Sequence, residues 1–377
     1  MASDTVSAGA LEPIHVLDFS RVLAGPFATM MLGDLGATVV KVERPPLGDD
    51  TRAWGPPFAA DGQATYFQAV NRNKRSVALD LDDPLDVRRA LDLAERSDVL
   101  VENFRPGVLD GFGLGYEALR ERNPRLIFCS ITGFGRGAGA ELPGYDLLLQ
   151  ALGGLMSITG PADGEPQKVG VALVDVLAGL FATVGILAAL RHRERSGEGQ
   201  RVEVDLLSSL LAALVNQGSA HTIAGVIPER MGNSHPSIAP YELLHTMAGE
   251  LVLAVGSDRQ FSALCRVLDA PALASDPRFA TNSERVAHRD ALRAEIERRL
   301  ATRPAEQWAA ELTAARVPAG TVNDLGGAFR LAASLGLAPI VEVPAHDGSL
   351  VRLTRNPIGL SATPPSYRTA PPALPQR

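Results

Sequence analysis

The sequence predicts an α/β protein, with a parallel sheet in a large domain and a smaller α+β domain, on three observations. Short β-branched runs alternate with helical patterns through the first two hundred residues; the texture changes to a hairpin and charged helices after Gly232; and strand-like runs return beyond Val317. Strands separated by helices pair in parallel and are covered on both faces. At 377 residues the chain also exceeds the usual single domain, which holds roughly 100–200 residues.

Ile14–Phe19, Thr38–Glu43, Ser76–Leu81, Asp98–Glu102 and Leu126–Ile131 read as strands, and Pro26–Leu35, Pro84–Arg96 and Tyr116–Glu121 between them as helices. Pro26 suits a helix start, with φ pre-set and no donor to leave unpaired, and Gly36 can take the left-handed conformation that ends one. Asp18 to Glu43 is then a strand, helix, strand unit, Rossmann-like in plan. Two long apolar helices follow, about Asp175–Arg191 and Leu206–Ile223, with a Gly-Glu-Gly turn and the strand Arg201–Asp205 between them. Next come the hairpin Tyr241–Thr246 and Leu251–Val255, helices near Ser257–Leu268, Ser283–Leu300 and Pro304–Ala315, and strands near Ile340–Val343 and Leu350–Leu353. The expected domains are 1–225 (large, α/β), 232–316 (small) and 317–377 (return to the large domain and tail). Both ends, including the Pro-rich tail after Ser361, read as disordered.

Composition narrows the function. The chain is 46% hydrophobic and 21% charged, with 36 Gly and 27 Pro, as in a soluble globular enzyme. Its net charge of −7 comes without any block of like charge, so the footprint of a nucleic-acid binder is missing. Cys129 and Cys265 lack metal-ligand spacing and the seven histidines show no HExxH pattern, so no metal site or disulfide framework is expected and a reducing, cytoplasmic setting is. Met1–Pro13 has no basic start or apolar core of signal-peptide type. Val176–Leu190 is apolar but shorter than the ~20 residues of a membrane span, and reads as a buried helix with no membrane partner.

Two glycine patterns, Gly111–Gly115 and Gly133–Gly139, superficially resemble a dinucleotide loop. The second follows a strand but runs into Ala-Glu-Leu-Pro rather than a helix, so it reads as a surface loop. No Gly-x-Ser-x-Gly elbow is present, and Cys129, inside an apolar strand, reads as core. Asn71-Arg-Asn-Lys-Arg-Ser76, with Arg21, Arg44, Arg52 and Arg105 near strand ends, suits a ligand carrying several phosphates, although basic turns are commonly just solvated. Asp175 interrupts the apolar run Val169–Leu180. A carboxylate there must be paired, cap the helix that follows, or serve chemistry, and the sequence leaves cap and catalyst both open.

With these residues in view, the sequence resembles the class III CoA-transferases over nearly its whole length. The matching pieces are Val16–Pro26, Gly33–Pro45, Asn73–Ser76, Asp98–Gly107, Gly144-Tyr-Asp146, Thr159–Pro161, Asp175, Pro240-Tyr241, Gly256 and Val317–Gly320. The resemblance implies an interlocked homodimer that uses coenzyme A thioesters as substrates and holds no permanent cofactor. It implies that Asp175 is the nucleophile, passing through a mixed anhydride and a β-aspartyl-CoA thioester as CoA moves to a carboxylic acid. With an ordinary pKa near ~3.9 such an aspartate needs no base. It further implies CoA contacts at Leu23, Ala24, Arg44, Leu79, Asn103, Phe104 and Arg105, with Tyr145 and Asp146 near the thioester end. Gly133–Gly139 and Gly232–Ala239 are candidate lids, and His235, Arg72 and Arg105 candidate carboxylate partners.

Departures from the formyl-CoA members are Asp82 and Gly111 in place of basic residues, Leu23 in place of a polar amide, and Met231–Pro236 in place of a glycine run. The stretch Gly153–Asp175 is similar to members that use succinyl-CoA or other dicarboxylic thioesters. Two other readings compete. An α-methylacyl-CoA racemase of the same fold would need a base where this chain has Tyr145, and a phenol with a pKa near ~10 serves poorly. A CoA-binding protein without turnover would have no need of Asp175 beyond a cap.

Overall fold

The computed structural model describes residues 9–59, 61–345 and 347–375. The first eight residues of Met1–Pro13, read above as carrying no export signal, lie outside the described residues. Contacts divide the chain into two units: residues 1–155, 168–226 and 338–377, and residues 156–167 and 227–337.

In the first unit the order is β1 (His15–Asp18), α1 (Ala24–Asp34), β2 (Thr38–Glu43), α2 (Thr65–Gln68), β3 (Lys74–Ala78), α3 (Pro84–Glu95), β4 (Val99–Glu102), α4 (Val108–Gly111), α5 (Tyr116–Arg122) and β5 (Ile127–Thr132). It continues with α6 (Asp146–Leu152), α7 (Leu173–Ser196), β6 (Arg201–Asp205), α8 (Leu206–Ala213) and α9 (Val215–Ala224). All six strands pair in parallel in the order β3-β2-β1-β4-β5-β6, so the direction of winding reverses between β1 and β4.

The two faces of the sheet bury alternate residues, as the strand period of two requires. Val16, Val39, Val101, Cys129 and Ile131 join Ala28, Leu32, Ala178, Ala182 and Ile186 in a core under α1 and α7. Leu17, Phe19, Val42, Leu100 and Phe128 join Ala90, Ala94 and Leu119 in a second core under α3 and α5. The apolar α7, long enough to cross a membrane by length and composition, thus places much of its surface in the first core.

The chain's return to this unit is more ordered than the sequence suggested. β10 (Ile340–Pro344) and β11 (Leu350–Thr354) form a hairpin, and the Pro-rich tail is tied down rather than disordered: the Arg368 guanidinium donates to the carbonyls of Gly33, Gly36 and Ala37, and Thr369 accepts from the backbone of Asn73. Gly33 lies in the last turn of α1, where carbonyls lack intrahelical partners, and Gly36 and Ala37 lie in the turn that leads to β2.

The second unit holds β7 (Tyr241–His245), β8 (Glu250–Ala254), α10 (Asp258–Val267), α11 (Pro271–Ser275), α12 (Asn282–Ala287), α13 (Arg289–Leu300), α14 (Ala305–Ala314), β9 (Ala319–Thr321) and α15 (Leu325–Ser334). It runs on to residue 337 because β9 pairs with β8, where a boundary at 316 was expected. Helices read as continuous over Leu206–Ile223 and Ser283–Leu300 are each broken, at Leu214 and His288. Strand β3 begins at Lys74, two residues before the expected start.

Candidate active site

Where winding reverses, the carboxyl ends of neighbouring strands splay and leave a crevice. Here the crevice is a cleft of about 820 Å³. Leu23, Ala24, Arg44, Leu79, Asn103, Phe104, Arg105, Tyr145 and Asp175 all line it, whereas Asp146 is not in the lining and meets the site through the backbone of Asp175. The loops after β1 and β4 are joined across the reversal by Asn103, whose amide accepts the N–H of Arg21 at 2.8 Å and donates to its carbonyl at 2.7 Å. Arg21 in turn lies over the Phe104 ring, 5.1 Å from its centroid.

Asp175 is not the cap of its helix. α7 begins at Leu173, the cap position falls on Ala172, which has no side chain to spend, and Asp175 stands in the first turn. The capping is done from α6: Asp146 Oδ1 accepts the N–H of Val174 at 2.8 Å and of Asp175 at 3.3 Å. This leaves the Asp175 carboxylate free to face the cleft. Burial, and then the charge of Asp146, push it up to about 7, well above the ordinary carboxylate value assumed from sequence.

Tyr66, on α2, escaped the sequence reading. Burial, and then the charges of Asp175, Asp146 and Asp49, push its hydroxyl above the ordinary phenol value, so it lies within electrostatic reach of the nucleophile candidate. Its signal in the sequence, a tyrosine beside a phenylalanine in a four-residue helix, is too weak to find without the fold.

The basic cluster divides. Arg72 and Lys74 are buried: Arg72 makes a bidentate pair with Asp34 at 2.8 and 2.6 Å, and Lys74 lies 3.0 Å from Asp18. Arg52 forks onto Glu43 and stacks on Phe67. Arg72 is therefore a structural residue and no carboxylate partner, and neither Lys74 nor Arg52 is available to a phosphate. Arg21, Arg44 and Arg105 remain exposed at the cleft, with Arg44 paired to Asp82 at 2.8 Å and near Asp80 at 3.7 Å.

Of the candidate lids, Gly133, Phe134, Gly135 and Gly139 line the cleft. A Cβ on Gly133 would meet the Gly144 Cα at 2.7 Å, so the loop closes on itself through two glycines. Met231–Ser234 belong to the second unit, where they line a separate cavity of about 340 Å³ with Glu242 and Arg293.

A sequence model of CoA-transferase family III matches residues 11–377. The chain is 44% identical over 374 residues to the succinate–glutarate CoA-transferase of Agrobacterium fabrum, covering 97% of this chain and 92% of that one. It is 43% identical over 325 residues to the acetyl-CoA:oxalate CoA-transferase of Acetobacter aceti, covering 86% and 83%. Its fold superposes on the crystal structure of a CAIB/BAIF family protein from Brucella suis with a TM-score of 0.86, at 42% identity and 97% coverage of each chain. With a match of this extent, the chain belongs to CoA-transferase family III and is an enzyme of the CoA-transferase type.

Proposed function

We propose that this enzyme moves CoA from succinyl-CoA to a second dicarboxylic acid, with Asp175 as the nucleophile. The observation that carries this reading is the placement of Asp175, freed from capping, on the cleft that also exposes Leu23, Ala24, Arg44, Asn103, Arg105 and Tyr145. The relatives' dicarboxylic acceptors, glutarate and oxalate, support the acceptor class.

The ionised Asp175 attacks the donor thioester carbonyl, forming a mixed anhydride and releasing CoA thiolate. The thiolate adds to the aspartyl carbonyl, giving the β-aspartyl-CoA thioester and freeing succinate. An incoming carboxylate attacks that thioester and again displaces the thiolate, which then takes the new acyl group and restores Asp175. Both intermediates keep the acyl group activated, and no proton needs to move once Asp175 is ionised. Arg44 and Arg105, exposed at the cleft, are suited to the phosphates of CoA through charge-assisted bonds. CoA thioesters are substrates here, and we assign no resident cofactor.

A homodimer fits the apolar residues left uncovered on α7 to α9, Leu180, Phe181, Val184, Leu211, Val215 and Ile223. The two free, buried cysteines suit the cytoplasm. Incubation with succinyl-CoA followed by hydroxylamine or borohydride, read by mass spectrometry, should place a modification on Asp175. An unmodified Asp175 in an enzyme that exchanges the α-proton of a branched acyl-CoA would replace this reading with the racemase.

A further inference from the structure

Gln150 is wholly buried on α6 and spends both ends of its amide on the segment that carries Asp175. Its Nε2 donates to Asp146 Oδ2 at 2.6 Å and to the Val171 carbonyl at 3.4 Å, while its Oε1 accepts the N–H of Val169 at 2.8 Å. Asp146 stands one turn earlier on the same helix, and its other oxygen holds the N–H groups of Val174 and Asp175. The irregular segment leading into α7 and the first turn of α7 therefore hang from α6 through one amide and one carboxylate. An apolar side chain of similar volume would fill the same space without the cost of burying an amide, so its use lies in what it holds.

We infer that Gln150 is a positioning residue for CoA transfer, fixing the Asp146 carboxylate in the orientation that ties down the first turn of α7 and aims Asp175 into the cleft. This rests on the reading of Asp175 as nucleophile. Among the described residues, the titratable groups coupled to Asp175 are Asp146 on α6 and Tyr66 on α2, the latter also under the charge of Asp49. Without Gln150 the Asp146 carboxylate loses the donor that fixes its Oδ2, the first turn of α7 is held less firmly, and Asp175 is aimed less well at the reacting carbonyl.

The test measures thioester formation on Asp175, with succinyl-CoA as probe and hydroxylamine as trap, in the wild type and in Gln150→Leu. The maximal rate should fall by about tenfold, as expected when a reacting group is displaced from its line of attack. The KM for succinyl-CoA should stay within about threefold, since the change acts on the reacting centre. In an Asp146→Asn background the same substitution should cost less than about threefold further, because the carboxylate that Gln150 orients is gone. Should Gln150→Leu fail to fold, Gln150→Glu keeps an acceptor for Val169, removes the amide donor and should lower the rate likewise. A labelled Asp175 formed at the wild-type rate in the Gln150 variant overturns this inference alone; no label in the wild type overturns it together with the nucleophile reading.

Discussion

The carboxylate of Asp146 accepts the backbone N–H of Asp175 at 3.3 Å, so one aspartate caps the helix that carries the other and charges its surroundings at the same time. Capping from a neighbouring element spares Asp175 that task.

This pairing sets a pH dependence. Transfer needs the ionised nucleophile, and Asp175 is held up to about 7, by burial first and by Asp146 second. The rate should climb as pH rises through that region and level off above it. Asp146→Asn keeps an oxygen to accept the helix N–H groups and removes the repelling charge, so its acid limb should fall to lower pH. Rates of CoA exchange between pH 5 and 8 would show this, and an unmoved limb would mean that burial alone raises Asp175.

Asp175→Asn should abolish transfer while stabilising the fold at neutral pH and above. The folded-state value, about 7, lies above the unfolded one of 3.8, so the folded protein holds this proton more tightly. The contribution from the protonated side chain is fully present below the unfolded value and is lost as pH rises through the folded one. The variant's advantage should therefore grow from about pH 4 to about 7 and then stay level, reaching ~1–3 kcal/mol after discounting for partial exposure. Urea melts of both proteins at pH 4.5 and 8 would measure it; equal differences at the two values would contradict the shift.

Arg44 offers a third test. Its guanidinium is exposed and sits 2.8 Å from Asp82, a surface pair of the kind worth ~0–1 kcal/mol. An incoming phosphate must compete with that acid. Asp82→Asn should lower the KM for the CoA thioester about two- to fivefold at low salt, with the gain shrinking as salt screens the charge. A KM indifferent to both the substitution and salt would remove Arg44 from the phosphate site.

Why the sequence yields some of this and withholds the rest is visible in particular residues. β4 and β5 were legible because each is a short run buried on both faces of the sheet, and β1 and β2 because buried Val16 and Leu17, and Val39 and Val42, stand within them. The start of α3 was legible from Asp83 and Pro84, a cap and a first-turn proline acting locally. Arg72 and Arg44 look alike in sequence, yet one is buried on Asp34, 38 positions away, and the other is open at the cleft. The break between α8 and α9 carries no glycine or proline; Val215 takes a φ of 39°, a conformation that its β-branched side chain gave no reason to expect. Asp175 was found as an anomaly in an apolar run, whereas its capping partner lies 29 positions earlier and needed the fold to be seen.

Gly179 shows how the backbone itself brings the two halves of the site together. It lies one turn after Asp175 on α7, and a Cβ there would sit 2.6 Å from the carbonyl oxygen of Ala24, with the Phe27 ring at 3.1 Å. The missing side chain lets α7 approach the first turn of α1, which places Asp175 near Leu23 and Ala24 at the cleft. Gly179→Ala meets backbone that cannot rotate aside, so the helices must part, at a cost of ~1–3 kcal/mol even after the better helix propensity of alanine is credited. The displaced nucleophile should lower kcat by about tenfold or more with a smaller change in KM, because a misplaced reacting group is felt chiefly in the chemical step. Denaturant melts and steady-state rates on the same protein would measure both effects. A Gly179→Ala enzyme as stable and as fast as the wild type would show that the approach of α7 to α1 leaves the chemistry untouched.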